Sequence, residues 1–223
     1  MIFYGINIRV KGSLSLLFIF LNLLCNSQTF QNLVPNGSFE SYSICPSFDS
    51  EIYQAVPWTG PIGNSTDYYN ACSNVVNVPH YAGISSVYPY NLNAKHGQAY
   101  AGLFLYKQAE YREYLQVKLN DTLIQNVCYY MEFYATSYQA TKYNSNNAAI
   151  SLSNYSTTII PNTHTLINFI PHVSAFGNPI IKDTINWQRI AGLYSANGNE
   201  TYLTIGNFYD DANTDTVNMY PPG

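Results

Sequence analysis

Residues 111–137, YREYLQVKLNDTLIQNVCYYMEFYATS, carry the clearest structural pattern in the chain. They contain two runs in which apolar and polar side chains alternate, separated by Asn120-Asp121-Thr122. Successive side chains of a β-strand point to opposite faces, so each run offers one face to a core and one to water or a ligand. Asn and Asp favour a turn between the runs because their side chains bond their own backbone. The stretch predicts two strands of a half-buried antiparallel sheet.

The alternation also predicts which side chains are buried. Tyr130 and Tyr134 belong to the outward face of the second run, where a ring could contact a ligand. The residues expected on the inward faces are Glu113, Leu115, Val117 and Leu119 in the first run and Val127, Tyr129, Met131, Phe133 and Ala135 in the second.

Similar alternation elsewhere predicts an all-β protein. No segment keeps a helical period for three turns, and Asn197-Gly198 is a strong hairpin signal between the last two runs. Eight or nine strands without helices predict a two-sheet antiparallel sandwich. The other predicted strands cover residues 39–43, 98–106, 148–152, 163–171, 184–195 and 200–208.

The composition favours an extracellular β-protein. Charged residues make up 10% of the 223 residues, well below the usual quarter, while aromatic residues make up 16% and include 22 tyrosines. The net charge is −4, and the nine Lys and Arg residues are scattered singly. A nucleic-acid surface needs a basic patch, so nucleic acid is excluded as a partner.

Residues 1–27 resemble an export signal. Arg9 and Lys11 precede an apolar core at residues 14–24, and the small residues of Cys25-Asn26-Ser27 suggest cleavage before Gln28. This core is shorter than the roughly 20 residues that span a bilayer, so no transmembrane helix is expected in the mature chain. Lipid attachment at Cys25 is the alternative. We therefore predict a signal peptide at 1–27, a domain at 28–223, and a location outside the cell or on the outer-membrane surface.

Export permits disulfides, and three cysteines follow the predicted cleavage site. Cys45 and Cys72 both lie in polar, loop-like stretches, so we predict that they pair. Cys128 lies inside a predicted strand and is expected to remain a thiol.

Three stretches together resemble one family. They are NLVPNGSFE at 32–40, the two runs of 111–137, and WQRIAGLYSANGNETYLTIGNFYDDANTD at 187–215. With the loop cysteines and the DYYNAC segment at 67–72, they are similar to the galactose-binding-like jelly-roll module at the N-terminus of outer-membrane-protein-A-family and gliding-motility-associated surface proteins. Those proteins belong to Gram-negative bacteria with type IX secretion.

The resemblance implies a jelly-roll fold, an envelope location and no catalytic activity. The family's next strand, with an aromatic-aromatic-Ile-Asp-Asp-Val type pattern, is absent after residue 215, as are any peptidoglycan-binding and sorting domains. The resemblance therefore implies a C-terminally shortened domain that lacks its last strand.

Oxygen-bearing side chains suggest a structural calcium ion. Asp211, Asn213 and Asp215 alternate as at the start of a calcium loop, but Thr216 stands where an EF-hand needs glycine. A loop site shared with Glu40 is the hypothesis, and a solvated turn is the alternative.

Aromatic residues in the loops suggest a sugar-binding surface. Flat rings can stack on the apolar faces of sugars while polar neighbours bond the hydroxyl groups. The alternative is that these rings fill the core beneath long loops. The candidate ligand-binding residues are Trp58, Tyr68, Tyr69, Tyr88 and Tyr90.

No motif indicates catalysis. The chain has neither an HExxH zinc motif nor a GxSxG nucleophile elbow, so we expect no enzyme. The sequence predicts a non-catalytic exported surface module that binds an extracellular or envelope glycan. The alternative is a structural or adhesive cell-envelope module that binds envelope protein and whose anchoring domain is missing here.

Overall fold

Alternating runs of the sequence form two antiparallel sheets whose apolar faces meet. The computed structural model describes residues 1–10, 31–61, 65–78, 92–138, 141–157 and 168–219. A five-stranded sheet has the order β2-β3-β1-β5-β9, a four-stranded sheet has the order β4-β10-β7-β8, and β11 pairs with β6. The strands are β1 (Ile2–Val10), β2 (Asp67–Asn70), β3 (Ala99–Gly102), β4 (Leu115–Lys118), β5 (Cys128–Thr136), β6 (Tyr143–Ser145), β7 (Ala149–Ser153), β8 (Val173–Ser174), β9 (Gln188–Ser195), β10 (Tyr202–Gly206) and β11 (Thr216–Asn218).

The predicted all-β sandwich is confirmed, and the residues predicted to point inward are buried. The predicted outward face of the first run is wrong, because Tyr114 and Gln116 are buried as well. Leu115 and Val117 of β4 and Met131 and Phe133 of β5 are no more than 1% exposed. Side chains of both sheets join one hydrophobic cluster. Burial of this apolar surface is the main force that holds the two layers together.

The predicted pairing of the two runs is wrong, because β4 and β5 belong to different sheets. β4 pairs with β10, and β5 pairs with β1 and β9. The predicted turn residues 120–122 do follow β4. The chain then passes from one sheet to the other, and Leu123 is buried in this connection. Alternation determines which face of a strand is apolar, and it does not determine the partner strand.

Two other local predictions are also wrong. Residues 39–43 are irregular, because the Asn36 side chain donates to the carbonyls of Ser41 and Val56 and accepts from the Ser41 N–H. β9 and β10 do not form a hairpin across Asn197-Gly198, since they lie in different sheets. Of the predicted strand 163–171, residues 163–167 lie outside the described residues.

Glu200 organises the turn between β9 and β10. Its carboxylate accepts from the N–H groups of Asn197, Gly198 and Asn199 and from the Tyr194 hydroxyl. Burial by itself would raise the pKa of Glu200, but these hydrogen bonds outweigh it and hold the pKa at about 2. Because β9 and β10 do not pair with each other, hydrogen bonds from the Glu200 carboxylate stabilise this turn instead of a hairpin ladder.

Replacement of this carboxylate tests its role. Glu200→Gln is expected to lower the free energy of unfolding by about 2 kcal/mol near neutral pH, since hydrogen bonds to a charged acceptor are lost. The folded pKa lies below the unfolded one, so the stabilisation is present above about pH 4.5 and is lost as the pH falls towards 2. Urea denaturation at several pH values measures this, with exposed Asp121→Asn as the control. An equal pH dependence in Glu200→Gln and the unsubstituted protein would contradict the assignment.

Residues 2–10, inside the predicted signal peptide, form strand β1 in the five-stranded sheet. Phe3, Ile6 and Ile8 are fully buried in the main core. The signal peptide stays a prediction, and the position of β1 determines how its cleavage would change the fold. Removal of residues 1–27 would take a strand out of the middle of the sheet.

The predicted disulfide is confirmed. Cys45 and Cys72 are bonded, with their Cα atoms 5.9 Å apart, and they link the loop before β2 to the turn after it. Cys128 is a half-buried free thiol at the start of β5, as expected.

Candidate functional site

A pocket of about 490 Å³ lies where β1 bends, beside the outward face of β5. Sites for small ligands commonly occupy about 300–1,000 Å³ and combine aromatic surface with a few polar groups. The residues that line it come from β1, from the loop at 32–38, from the loop before β3 and from β5. They are Tyr4, Gly5, Ile6, Asn7, Asn32, Val34, Asn36, Gly37, Ser38, Lys95, His96, Glu132 and Tyr134.

A glycine creates the bend in β1. Gly5 has a φ of 64°, and the pairing of β1 with β5 shifts register between Tyr4 and Asn7. A side chain at this position would be strained. Its Cβ would also lie 3.3 Å from Cδ2 of Tyr134, so the absence of a side chain lets the ring rest against the backbone.

Tyr134 and Lys95 form the centre of the pocket. The Lys95 ammonium lies 4.2 Å from the centroid of the Tyr134 ring, which is a cation–π distance. No carboxylate pairs with Lys95 among the described residues. The ammonium therefore remains a hydrogen-bond donor for a ligand, as does the Tyr134 hydroxyl, which bonds to no described residue.

The other charged group in the pocket is already engaged. Glu132 accepts from the Tyr130 hydroxyl at 3.0 Å and lies 3.8 Å from Arg189. Burial raises the pKa of Tyr130, and the hydrogen bond to Glu132 raises it further. Glu132 is thus held on the wall beside Tyr134, where one carboxylate oxygen is left to accept from a hydroxyl group.

Asparagine amides complete the wall. Asn7 donates to the Gly5 carbonyl at 2.8 Å, and Asn32 donates to the Ile6 carbonyl at 3.0 Å. The Asn36 amide nitrogen donates to the carbonyls of Ser41 and Val56, and its oxygen accepts from the Ser41 N–H, so this side chain fixes the neighbouring loop. These amides shape the pocket, whereas Lys95 and the hydroxyl group of Tyr134 can contact an occupant.

The predicted aromatic loop residues lie elsewhere. Trp58, Tyr68 and Tyr69 are at most 5% exposed. The Trp58 ring packs 5.1 Å from Phe39 and donates to the Asn36 carbonyl at 2.9 Å, and the Tyr68 hydroxyl donates to the Phe39 carbonyl. In the folded chain these rings have little surface to offer a sugar, and their binding role stays a prediction. Tyr88 and Tyr90 lie outside the described residues.

Burial of Trp58 leads to a stability prediction. Trp58→Ala removes a fully buried ring and is expected to lower the free energy of unfolding by about 3–5 kcal/mol. Phe48→Ala is the matched control, since Phe48 is 69% exposed. Urea denaturation followed by circular dichroism measures both variants. A loss below about 1 kcal/mol for Trp58→Ala would contradict its position in the core.

Of the four predicted calcium ligands, Glu40 and Asp211 use their carboxylates in contacts within the protein. Glu40 accepts from the N–H groups of Gln98 and Ala99, and Asp211 forms a 2.8 Å ion pair with buried Arg112. Asn213 donates to Asp210, and the Asp215 N–H donates to Asn147. Within the described ranges, no three His, Cys, Asp or Glu side chains are arranged to hold a metal ion. The calcium site stays a prediction.

Two acidic side chains, Asp67 at the start of β2 and Glu113 before β4, influence each other electrostatically. Glu113 is buried and accepts from the hydroxyls of Ser65 and Tyr111 and from the Phe104 N–H. Burial raises the pKa of Asp67 to about 7, and the charge of Glu113 adds to the rise. The hydrogen bonds from Ser65 and Phe104 tie Glu113 to two other segments of the chain, which gives this carboxylate a role in holding loops together.

Sequence reasoning missed most of the pocket. Tyr134 was predicted on the outward face of its strand, but Lys95, His96 and Glu132 had no motif to mark them. The useful signal was Gly5, a glycine within an alternating run, which is typical of a bulge or close approach. That run was instead assigned to the signal peptide.

The comparisons with known proteins identify no relative of this chain. No family model, no curated protein and no solved structure matches this chain. The resemblance to galactose-binding-like modules stays a prediction. Among the residues that the structure describes, no helix has the length and apolar character needed to cross a membrane.

Proposed function

We propose that this protein is a non-catalytic, exported surface module that binds carbohydrate in the pocket beside β5. The observation that supports this most is the position of Lys95 over the Tyr134 ring in a pocket whose wall also carries polar side chains. A ring with adjacent donors and acceptors is the arrangement that recognises the apolar face and the hydroxyl groups of a sugar together.

The polar groups suit a sugar better than an apolar ligand. The Lys95 ammonium and the Tyr134 hydroxyl can donate, and Glu132 can accept. An apolar occupant would leave these groups buried without partners, which costs free energy. A sugar would satisfy them through its hydroxyl groups.

Export and the envelope location rest on the sequence. The leader at 1–27 supports secretion, and the resemblance to envelope modules supports a glycan of the cell surface or its surroundings as ligand. The jelly-roll variant of the sandwich rests on the same resemblance. Because β1 lines the pocket, carbohydrate binding there requires that residues 1–10 stay with the folded protein, and the binding test therefore uses the full chain.

Glycan binding tests the proposal. The full chain, screened on a glycan array and titrated by calorimetry with the best ligand, is expected to bind. Tyr134→Ala should weaken binding about tenfold, since the ring that positions Lys95 and the hydroxyl donor are both lost. Tyr155→Ala is the control, since Tyr155 is 59% exposed and outside the pocket.

Two results would contradict the proposal. One is that the folded chain binds no glycan, and this outcome favours a structural or adhesive module instead. The other is that Tyr134→Ala and Tyr155→Ala bind with equal affinity.

A further inference from the structure

Lys95 carries a charge that the rest of the pocket does not compensate. Its side chain belongs to a half-buried residue, and the ammonium lies 4.2 Å from the centroid of the Tyr134 ring. Neither ion pair found within the described ranges involves Lys95. Partial removal of a cation from water without a counter-ion costs free energy, and the face of an aromatic ring offsets only part of that cost. The pocket therefore holds a cation that is able to bind an anion.

The acidic side chain in the same pocket has partners other than Lys95. Glu132 lies 3.8 Å from Arg189 and accepts from the Tyr130 hydroxyl at 3.0 Å. Arg189 belongs to β9 and does not line the pocket, so its charge compensates Glu132 from outside. His96 also lines the pocket and can add only positive charge. With Glu132 paired in this way, the pocket is left with positive charge, in a chain whose net charge is −4.

The backbone on both sides of Lys95 is anchored by side chains. Before it, the ring N–H of Trp187 donates to the Asn93 carbonyl at 3.3 Å. After it, the Glu40 carboxylate accepts from the Gln98 N–H at 2.9 Å. A group held on an anchored backbone has less conformational freedom to lose on binding, which favours affinity. The loop thus presents the ammonium to the pocket before any ligand arrives.

The groups around the ammonium match a sugar that carries an acid group. Tyr134 and Glu132 line the same pocket and offer a donor and an acceptor to hydroxyl groups. An acid group would bind Lys95 through a charge-assisted hydrogen bond, which is about twice as strong as a neutral one. A neutral sugar can accept a hydrogen bond from Lys95, but it leaves the charge without a counter-ion. The pocket therefore favours an acidic sugar over its neutral counterpart.

We propose that the pocket selects acidic sugars, which are sugars that carry a carboxylate or a sulfate group. This inference rests on the proposed carbohydrate-binding function and adds the class of ligand to it. Lys95 binds the anionic group, while Tyr134 and Glu132 bind the neighbouring hydroxyl groups. A lysine ammonium acts as a compact point charge, so either anion is compatible with it.

Matched ligands test the selection. The full chain is titrated by calorimetry with tetragalacturonate and with the same tetramer fully methyl-esterified, which removes the charge and keeps the sugar. A sulfated galactose tetramer and its desulfated form are the second pair. In at least one pair the acidic member is expected to bind about tenfold more tightly or better, and that pair identifies the anion. Raising NaCl from about 50 mM to about 500 mM should weaken the acidic member selectively, because salt screens charge.

Variants connect the selection with Lys95. Lys95→Gln removes the charge and is expected to weaken binding of the acidic member about tenfold, with the neutral member changed by less than about threefold. Lys95→Arg keeps the charge and should retain the preference. Lys118→Gln is the control for net charge, since Lys118 is exposed, lies on β4 and is outside the pocket.

The results distinguish this inference from the proposed function. Equal affinity for the two members of each pair would overturn the selection of acidic sugars and leave carbohydrate binding in place. A preference that survives in Lys95→Gln, or an equal loss of both members in that variant, would overturn the role of Lys95 in the same way. Absence of binding to any glycan, on the array and in the titrations, would overturn both proposals.

Discussion

The pairing of β1 with β5 is the interaction on which the rest of the structure depends. β5 lies between β1 and β9 and contributes Met131 and Phe133 to the core. β1 joins β5 to β3 and so to β2, which lies just before Cys72, at the end of the loop that the disulfide closes. Without β1, the five-stranded sheet separates into two pairs, and Phe3, Ile6 and Ile8 leave the core. Backbone hydrogen bonding and apolar burial therefore act on the same strand.

The pocket depends on the same strand. The bend at Gly5 places Tyr4 and Asn7 in the pocket wall with Tyr134, and the loop at 32–37 bonds to β1 beyond the bend. Gly5 thus shapes the wall of the pocket and also sets the spacing of the β1 side chains that enter the core. A strand without the bend would bury the wrong residues after Tyr4.

Sequence patterns predicted faces better than partners. Leu115, Val117, Met131 and Phe133 are buried as expected, because alternation is a local property of the strand. The partner of each strand depends on contacts between residues that are far apart in the sequence. β4 and β5 therefore lie in different sheets although they are neighbours in the chain. The Asn197-Gly198 signal failed because Glu200 supplies hydrogen bonds to the turn from its own side chain. The strand at residues 2–10 is not predicted from the sequence. These residues, with Arg9 and Lys11, precede the apolar run at 14–24, which is the pattern of an export signal.

The candidate site was predictable only in part. Alternation placed Tyr134 outward, but Lys95 and Asn32 come from loops whose path depends on contacts far along the chain. The loop aromatics were expected at the surface, yet Trp58 packs against Phe39 inside the sandwich. A proline-rich, aromatic sequence predicts a folded loop, but it does not predict whether the aromatic rings point into the core or towards the surface.

The position of β1 is best tested by native-state hydrogen exchange on the full chain, read peptide by peptide. The account predicts that the amides of Phe3, Ile6 and Ile8 exchange as slowly as those of Met131 and Phe133, because all five lie in one cooperative sheet. Amides of residues 3–8 that exchange at the rate of an unfolded chain, while those of β5 stay protected, would contradict it.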